Sequence, residues 1–75
     1  ALIKTLKPET LSQVTDHFEV ECTYSILTDS QGNRCLQLDT YGSRERQIVG
    51  KKSQSLRLAP EAIRQLKAII ADNGL

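Results

Sequence analysis

Apolar and polar positions alternate strictly from Phe18 to Ile26, with Phe18, Val20, Cys22, Tyr24 and Ile26 on one side and Glu19, Glu21, Thr23 and Ser25 on the other. Period two is the mark of a half-buried strand. Leu36, Leu38 and Thr40 alternate in the same way with Gln37, Asp39 and Tyr41. Between the two runs lies Asp29-Ser30-Gln31-Gly32-Asn33, all turn formers, so the runs are expected to pair as an antiparallel hairpin. Both apolar sets share a face only if the loop is odd in length. Gln31-Gly32-Asn33 with a left-handed Gly or Asn meets that condition and sets Cys22 opposite Gly42. A third strand follows over Ser53 to Leu58, with Leu56 and Leu58 facing one way and Ser53, Ser55 and Arg57 the other.

The period then changes. Ala59, Ile63, Leu66, Ile69 and Ile70 fall on one helical stripe, opened by Pro60-Glu61 and closed by Asp72-Asn73-Gly74, with Arg64 and Lys67 on the polar side. Near the N-terminus, Leu11, Val14 and Phe18 also have helical spacing, and a short helix from Pro8 to about Asp16 is expected within an N-terminal arm or helix over 1–17. The glycine-bracketed segment Gly42 to Lys52 is too polar for a core element and reads as an extension of strand two beyond a bulge, followed by a turn. The expected fold is α+β: a three- or four-stranded antiparallel sheet over 18–58 with the 59–73 helix on one face, in one domain of 1–75.

Size changes the picture. A chain of 75 residues hides only about 60% of its unfolded surface, so it needs a staple or a partner. A homodimer is expected, through an exposed strand edge or through the stripe Ile63, Leu66, Ile69 and Ile70, which otherwise is all internal core. No apolar run approaches the roughly 20 residues of a membrane span and no signal-peptide core is visible, so the expectation is a cytoplasmic protein without membrane contact.

Two cysteines invite a bridge, but in the expected register they stand over about 20 Å apart along the hairpin, beyond the roughly 7 Å limit. Cys22 reads as a small core residue and Cys35 as a surface one. With one histidine, His17, and no Cys-x-x-Cys or His-x-x-x-His spacing, no metal and no cofactor is expected. Glu19 and Glu21 on one strand face have the spacing of paired carboxylates, a pattern that a solvated face gives more often. Asp39, Glu45 and Lys51 are the only ordered set resembling a nuclease centre, and no Ser or Cys has a recognisable base. The chain reads as a non-enzyme without a small-molecule substrate.

Ten Lys or Arg against nine Asp or Glu give a net charge of +1, unevenly placed. From Glu9 to Asp29 there are acids (Glu9, Asp16, Glu19, Glu21, Asp29) and no Lys or Arg, whereas Arg44, Arg46, Lys51, Lys52 and Arg57 face only Glu45. Such a basic block beside Tyr41 has the means to follow a phosphate backbone while the ring stacks on a base, and equally the composition of a solvated loop.

From Leu36 to Ile70 the order of a strand, a basic segment ending Gly50-Lys51-Lys52, a short strand Ser55-Leu56-Arg57-Leu58, then Pro60-Glu61 and a helix with Leu66-Lys67 resembles the single-stranded-DNA-binding domain of the transcriptional coactivator positive cofactor four. The resemblance covers about half the chain and lies in strand order. It implies a curved antiparallel sheet that grips single-stranded DNA with basic and aromatic side chains, and a helix that builds a homodimer; the partner expected for this chain is single-stranded DNA or RNA. Lys51 and Lys52 match the family's glycine-lysine segment, Leu56 and Leu58 its core strand, and Leu66 and Ile70 its helix stripe; Tyr41, Arg44, Arg46 and Arg57 match by location. Glu19, Glu21 and Asp39 depart from it and oppose a phosphate chain. Asp39-Thr40-Tyr41-Gly42-Ser43-Arg44 with Gly50-Lys51 and Ser53-Gln54-Ser55 also resembles a segment of small uncharacterised bacterial proteins. The expected function is coactivator-like binding of nucleic acid, single-stranded DNA preferred. The alternative is a protein-interaction or self-assembly module in which acidic strand meets basic loop.

Overall fold

The computed structural model describes residues 1–42 and 52–75. Strands β1 (Leu2–Ile3), β2 (Cys22–Thr28), β3 (Arg34–Tyr41) and β4 (Lys52–Leu58) are followed by helix α1 (Pro60–Asp72). They form one four-stranded sheet in the order β1-β4-β3-β2, an α+β arrangement with the helix at the C-terminal end. The consecutive strands β2, β3 and β4 are antiparallel, as their alternation requires. The sheet as a whole is mixed, because β1 joins the free edge of β4 in parallel, with Leu2 beside Arg57 and Ile3 beside Leu58.

Pairing of Thr28 with Arg34 leaves a five-residue loop, Asp29 to Asn33, rather than the expected Gln31-Gly32-Asn33. The parity is unchanged, so Tyr24 still faces Leu38 and Ile26 faces Leu36, but Cys22 lies opposite Thr40 instead of Gly42. The cause is Asp29. Its Oδ1 accepts hydrogen bonds from the Gln31 and Asn33 backbone N–H groups at 2.9 and 2.8 Å, which starts the turn two residues earlier on the β2 side. Gly32 supplies the left-handed step at φ 84°.

The same loop reverses the roles expected of the cysteines. Cys35 is buried and Cys22 exposed, both as free thiols. The curled loop sets the Asn33 carbonyl 3.6 Å from Cys35 Sγ and the Asp29 carboxylate against it, while Cys22 stands at the open end of an edge strand.

The expected helix from Pro8 to Asp16 does not form, nor does the strand beginning at Phe18. Residues 4–21 carry no helix or strand, and Phe18 is 92% exposed. Such a short helix is marginal without a surface to pack on, and topology demands a different use of this segment. Its ends are fixed on β1 and β2, at opposite edges of the sheet. They lie three strand spacings apart, about 14 Å. Residues 4–21 are therefore a crossover, touching α1 where Leu6 N–H donates to Gln65 Oε1 at 2.7 Å. Glu19 and Glu21 accordingly precede β2 and do not share a strand face.

Helix α1 starts at Pro60, whose missing N–H costs nothing at that position, and Ile63 N–H donates to the Ala59 carbonyl at 3.0 Å. It ends where the Asn73 amide donates to the Ile69 carbonyl at 2.8 Å and Gly74 turns at φ 66°. The helix packs on β3 and β4. Leu58, Cys35 and Ala62 are the buried apolar residues among those described. Of the expected stripe, Ile63 and Leu66 are half-buried, while Ile69 and Ile70 remain exposed. No helix among the described residues is long and apolar enough to cross a membrane.

Candidate functional site

Strand register brings polar side chains into rows on one face of the sheet. Ser25, Gln37 and Arg57 are cross-strand neighbours, as are Thr23, Asp39 and Ser55, and Tyr41 pairs with Lys52. The last pair follows a register shift between Thr40 and Tyr41, so the expected bulge begins at the end of β3.

Asp39 is the centre of this face. It lies in the middle strand pair and is only 2% exposed, a position that a carboxylate tolerates only when its oxygens are matched. Oδ1 accepts from the Ser55 hydroxyl and from Gln37 Nε2 at 3.1 Å. Oδ2 accepts from Gln37 Nε2 at 3.2 Å and takes the Lys52 ammonium at 3.2 Å. The Ser55 hydroxyl above all, then the Gln37 amide and Lys52, hold its carboxyl below the ordinary value of 3.8, against burial, which acts the other way.

The network continues outward. Gln37 Oε1 accepts from Arg57 Nε and Nη2 at 3.0 and 2.7 Å, which fixes the guanidinium plane and leaves its remaining donors for another acceptor. At the other end, the Tyr41 and Thr23 hydroxyls are 3.0 Å apart, which ties the aromatic ring to the edge strand. The Lys52 side chain is 55% exposed. An open hollow of about 410 Å³ adjoins Arg57, lined also by Gln37, Ser55, Ala1 and Leu2.

Of the basic and aromatic residues expected to form a site, Tyr41, Lys52 and Arg57 are thus drawn onto one face. Arg44, Arg46 and Lys51 lie outside the described residues, as does Glu45 of the expected acidic set. Tyr41 and Lys52, described residues on the two sides of that segment in the sequence, are a cross-strand pair. Gln37, Ser55 and Thr23 were not expected as site residues. The signal for them was present, because Gln37, Asp39 and Tyr41 form the polar half of one alternating run and Ser55 and Arg57 that of the next. No cluster of three or more metal-ligating side chains occurs among the described residues.

Comparison with protein-family models, with curated proteins and with solved structures gives no match.

Proposed function

We propose that the polar face of the sheet binds single-stranded nucleic acid, DNA in preference to RNA, as a coactivator-like module without catalytic activity. The observation that carries the reading is the placement of Arg57, Lys52 and Tyr41 on one face around a carboxylate whose charge is already matched. Asp39 stood against phosphate binding in the sequence, and in the fold it is a buried acceptor that positions Lys52 and, through Gln37, Arg57. Glu19 lies before β2, and Glu21 adjoins its first residue, where its carbonyl accepts from the Tyr41 N–H at 3.0 Å. A fixed guanidinium, a half-exposed ammonium and a tethered ring suit a backbone of phosphates with unstacked bases. The similarity in strand order to the positive cofactor four domain supports the same reading.

The experiment is fluorescence anisotropy of labelled single-stranded DNA, duplex DNA and RNA of one length across a salt series. Single-strand binding with log affinity falling linearly against log salt is the expected result, at about 0.7 units of slope per phosphate contact. Equal affinity for duplex, or no binding at low salt, overturns it. The second reading, a self-assembly module, is favoured by the exposed apolar side chains Tyr24, Ile26 and Leu56 on the other face of the sheet.

A further inference from the structure

Leu2 is an apolar side chain on the polar face. It is 54% exposed and stands beside Arg57 in the parallel pairing of β1 with β4, so the two share a side of the sheet. The backbone holds it there, since the Arg57 N–H donates to the Ala1 carbonyl at 2.8 Å and the Ala59 N–H to the Ile3 carbonyl at 3.0 Å. Leu2 and Arg57, with Gln37 and Ser55, line the open hollow of about 410 Å³.

The Arg57 guanidinium is engaged on one edge only. Nε and Nη2 both donate to Gln37 Oε1, which fixes the plane and uses two of its five N–H donors. Of the remaining three, one on Nη1 and one on Nη2 lie parallel and form a fork for two adjacent acceptors, while the last points aside. Among the described residues no carboxylate lies within ion-pair distance of Arg57.

Two adjacent acceptors on a flat, largely apolar body describe guanine, whose O6 and N7 take an arginine fork. Adenine sets a donor beside its N7, and thymine a donor between its carbonyls, so each opposes the fork. A phosphate or carboxylate fits it but has no apolar surface to lay against Leu2. Cytosine offers O2 and N3 on one ring instead of two and covers less of Leu2.

We propose that this hollow is a base-reading subsite for guanine, with the Arg57 fork donating to O6 and N7 and the purine lying against Leu2. Unstacked bases of single strands are read in this way, on their Hoogsteen edges. The proposal rests on the reading that this face takes a single strand, and it adds a base preference to it. The charge and the last donor of Arg57 still serve the adjoining backbone, so loss of the charge and loss of the fork have different signatures.

Anisotropy tests it with an oligothymidine strand and with the same strand carrying one central guanine, cytosine or 7-deazaguanine, the last having carbon in place of N7. The guanine strand is expected to bind about 5- to 30-fold tighter than oligothymidine, the lower part of what a bidentate pair gives, because the hollow is open. The 7-deazaguanine and cytosine strands fall most of the way back. Arg57→Lys keeps a cation and the salt slope but loses the preference for guanine, and Leu2→Ala, at an exposed position, narrows it. The comparison of guanine with 7-deazaguanine on the wild type stands even where a variant fails to fold. Equal binding of the guanine strand and oligothymidine, or 7-deazaguanine or cytosine bound as tightly as guanine, overturns the inference and leaves single-strand binding in place. Absence of binding to every strand at low salt overturns both.

Discussion

Replacing Leu58 with alanine removes most of a side chain that is 5% exposed and sits between Leu36 of β3 and Ile3 of β1. Buried Leu→Ala changes cost about 2–5 kcal/mol, the sum of lost transfer energy and the cavity left behind. Here the lower half of that range applies, because Leu58 lies at the strand end that leads into α1, where half-buried neighbours are free to close in. The expected cost is about 2–3 kcal/mol. A 75-residue domain has a total of only about 4–11 kcal/mol, so the variant loses about a fifth or more of it. At about 4–8 °C per kcal/mol for a domain this size, the melting temperature falls by about 8–24 °C. Urea unfolding followed by circular dichroism at one fixed protein concentration measures the change, with the slope m unaltered. Leu75→Ala, at the exposed C-terminal residue, is the control and stays within about 0.5 kcal/mol. A Leu58→Ala cost below about 1 kcal/mol refutes the packing described here.

Lys52→Gln and Arg57→Gln each reduce the slope of log affinity against log salt for single-stranded DNA by about 0.7, and an unchanged slope in the double variant removes both residues from the interface. Asp29 and Asp39 have carboxyls held below 3.8, Asp29 chiefly by the Asn33 backbone N–H and Asp39 chiefly by the Ser55 hydroxyl. A depressed folded-state value gives stability that is complete above the ordinary value and is lost as pH falls through the lower one. Acid unfolding curves should therefore be less steep in Asp29→Asn and Asp39→Asn, and an acid limb identical to wild type counts against these hydrogen bonds. Gly32→Ala places a β-carbon at φ 84° in open space, so the cost is conformational alone, about 1 kcal/mol; a neutral result in urea unfolding contradicts the turn geometry.

The antiparallel three-strand core was legible because three alternating runs flank an unmistakable turn, and α1 because one apolar stripe lies between Pro60 and Gly74. Period-two reasoning also sorted the faces correctly in β3 and β4, where Ser55 and Arg57 indeed face away from Leu56 and Leu58. What was not legible depends on distant pairing. Two residues, Leu2 and Ile3, have no periodicity to read, yet their parallel pairing with β4 dictates that residues 4–21 cross the sheet and overrides both local patterns there. The exchange of roles between Cys22 and Cys35 came from the Asp29 loop, whose carboxylate and Asn33 carbonyl lie against the Cys35 thiol, and from the place of Cys22 at the end of an edge strand. Asp39 looked like a repulsive surface charge because the sequence does not show that Ser55, Gln37 and Lys52 converge on it from two strands.

The central claim is that the sheet divides its two faces, the one around Asp39 serving nucleic acid. The most direct measurement is a ¹H–¹⁵N correlation spectrum of the labelled chain titrated with an oligothymidine single strand. Shifts concentrated at Gln37, Tyr41, Ser55 and Arg57, including the Arg57 Nε–H signal, with Tyr24, Ile26 and Leu56 unmoved, are what the account predicts. Shifts centred on Tyr24, Ile26 and Leu56, or none at any residue at low salt, contradict it.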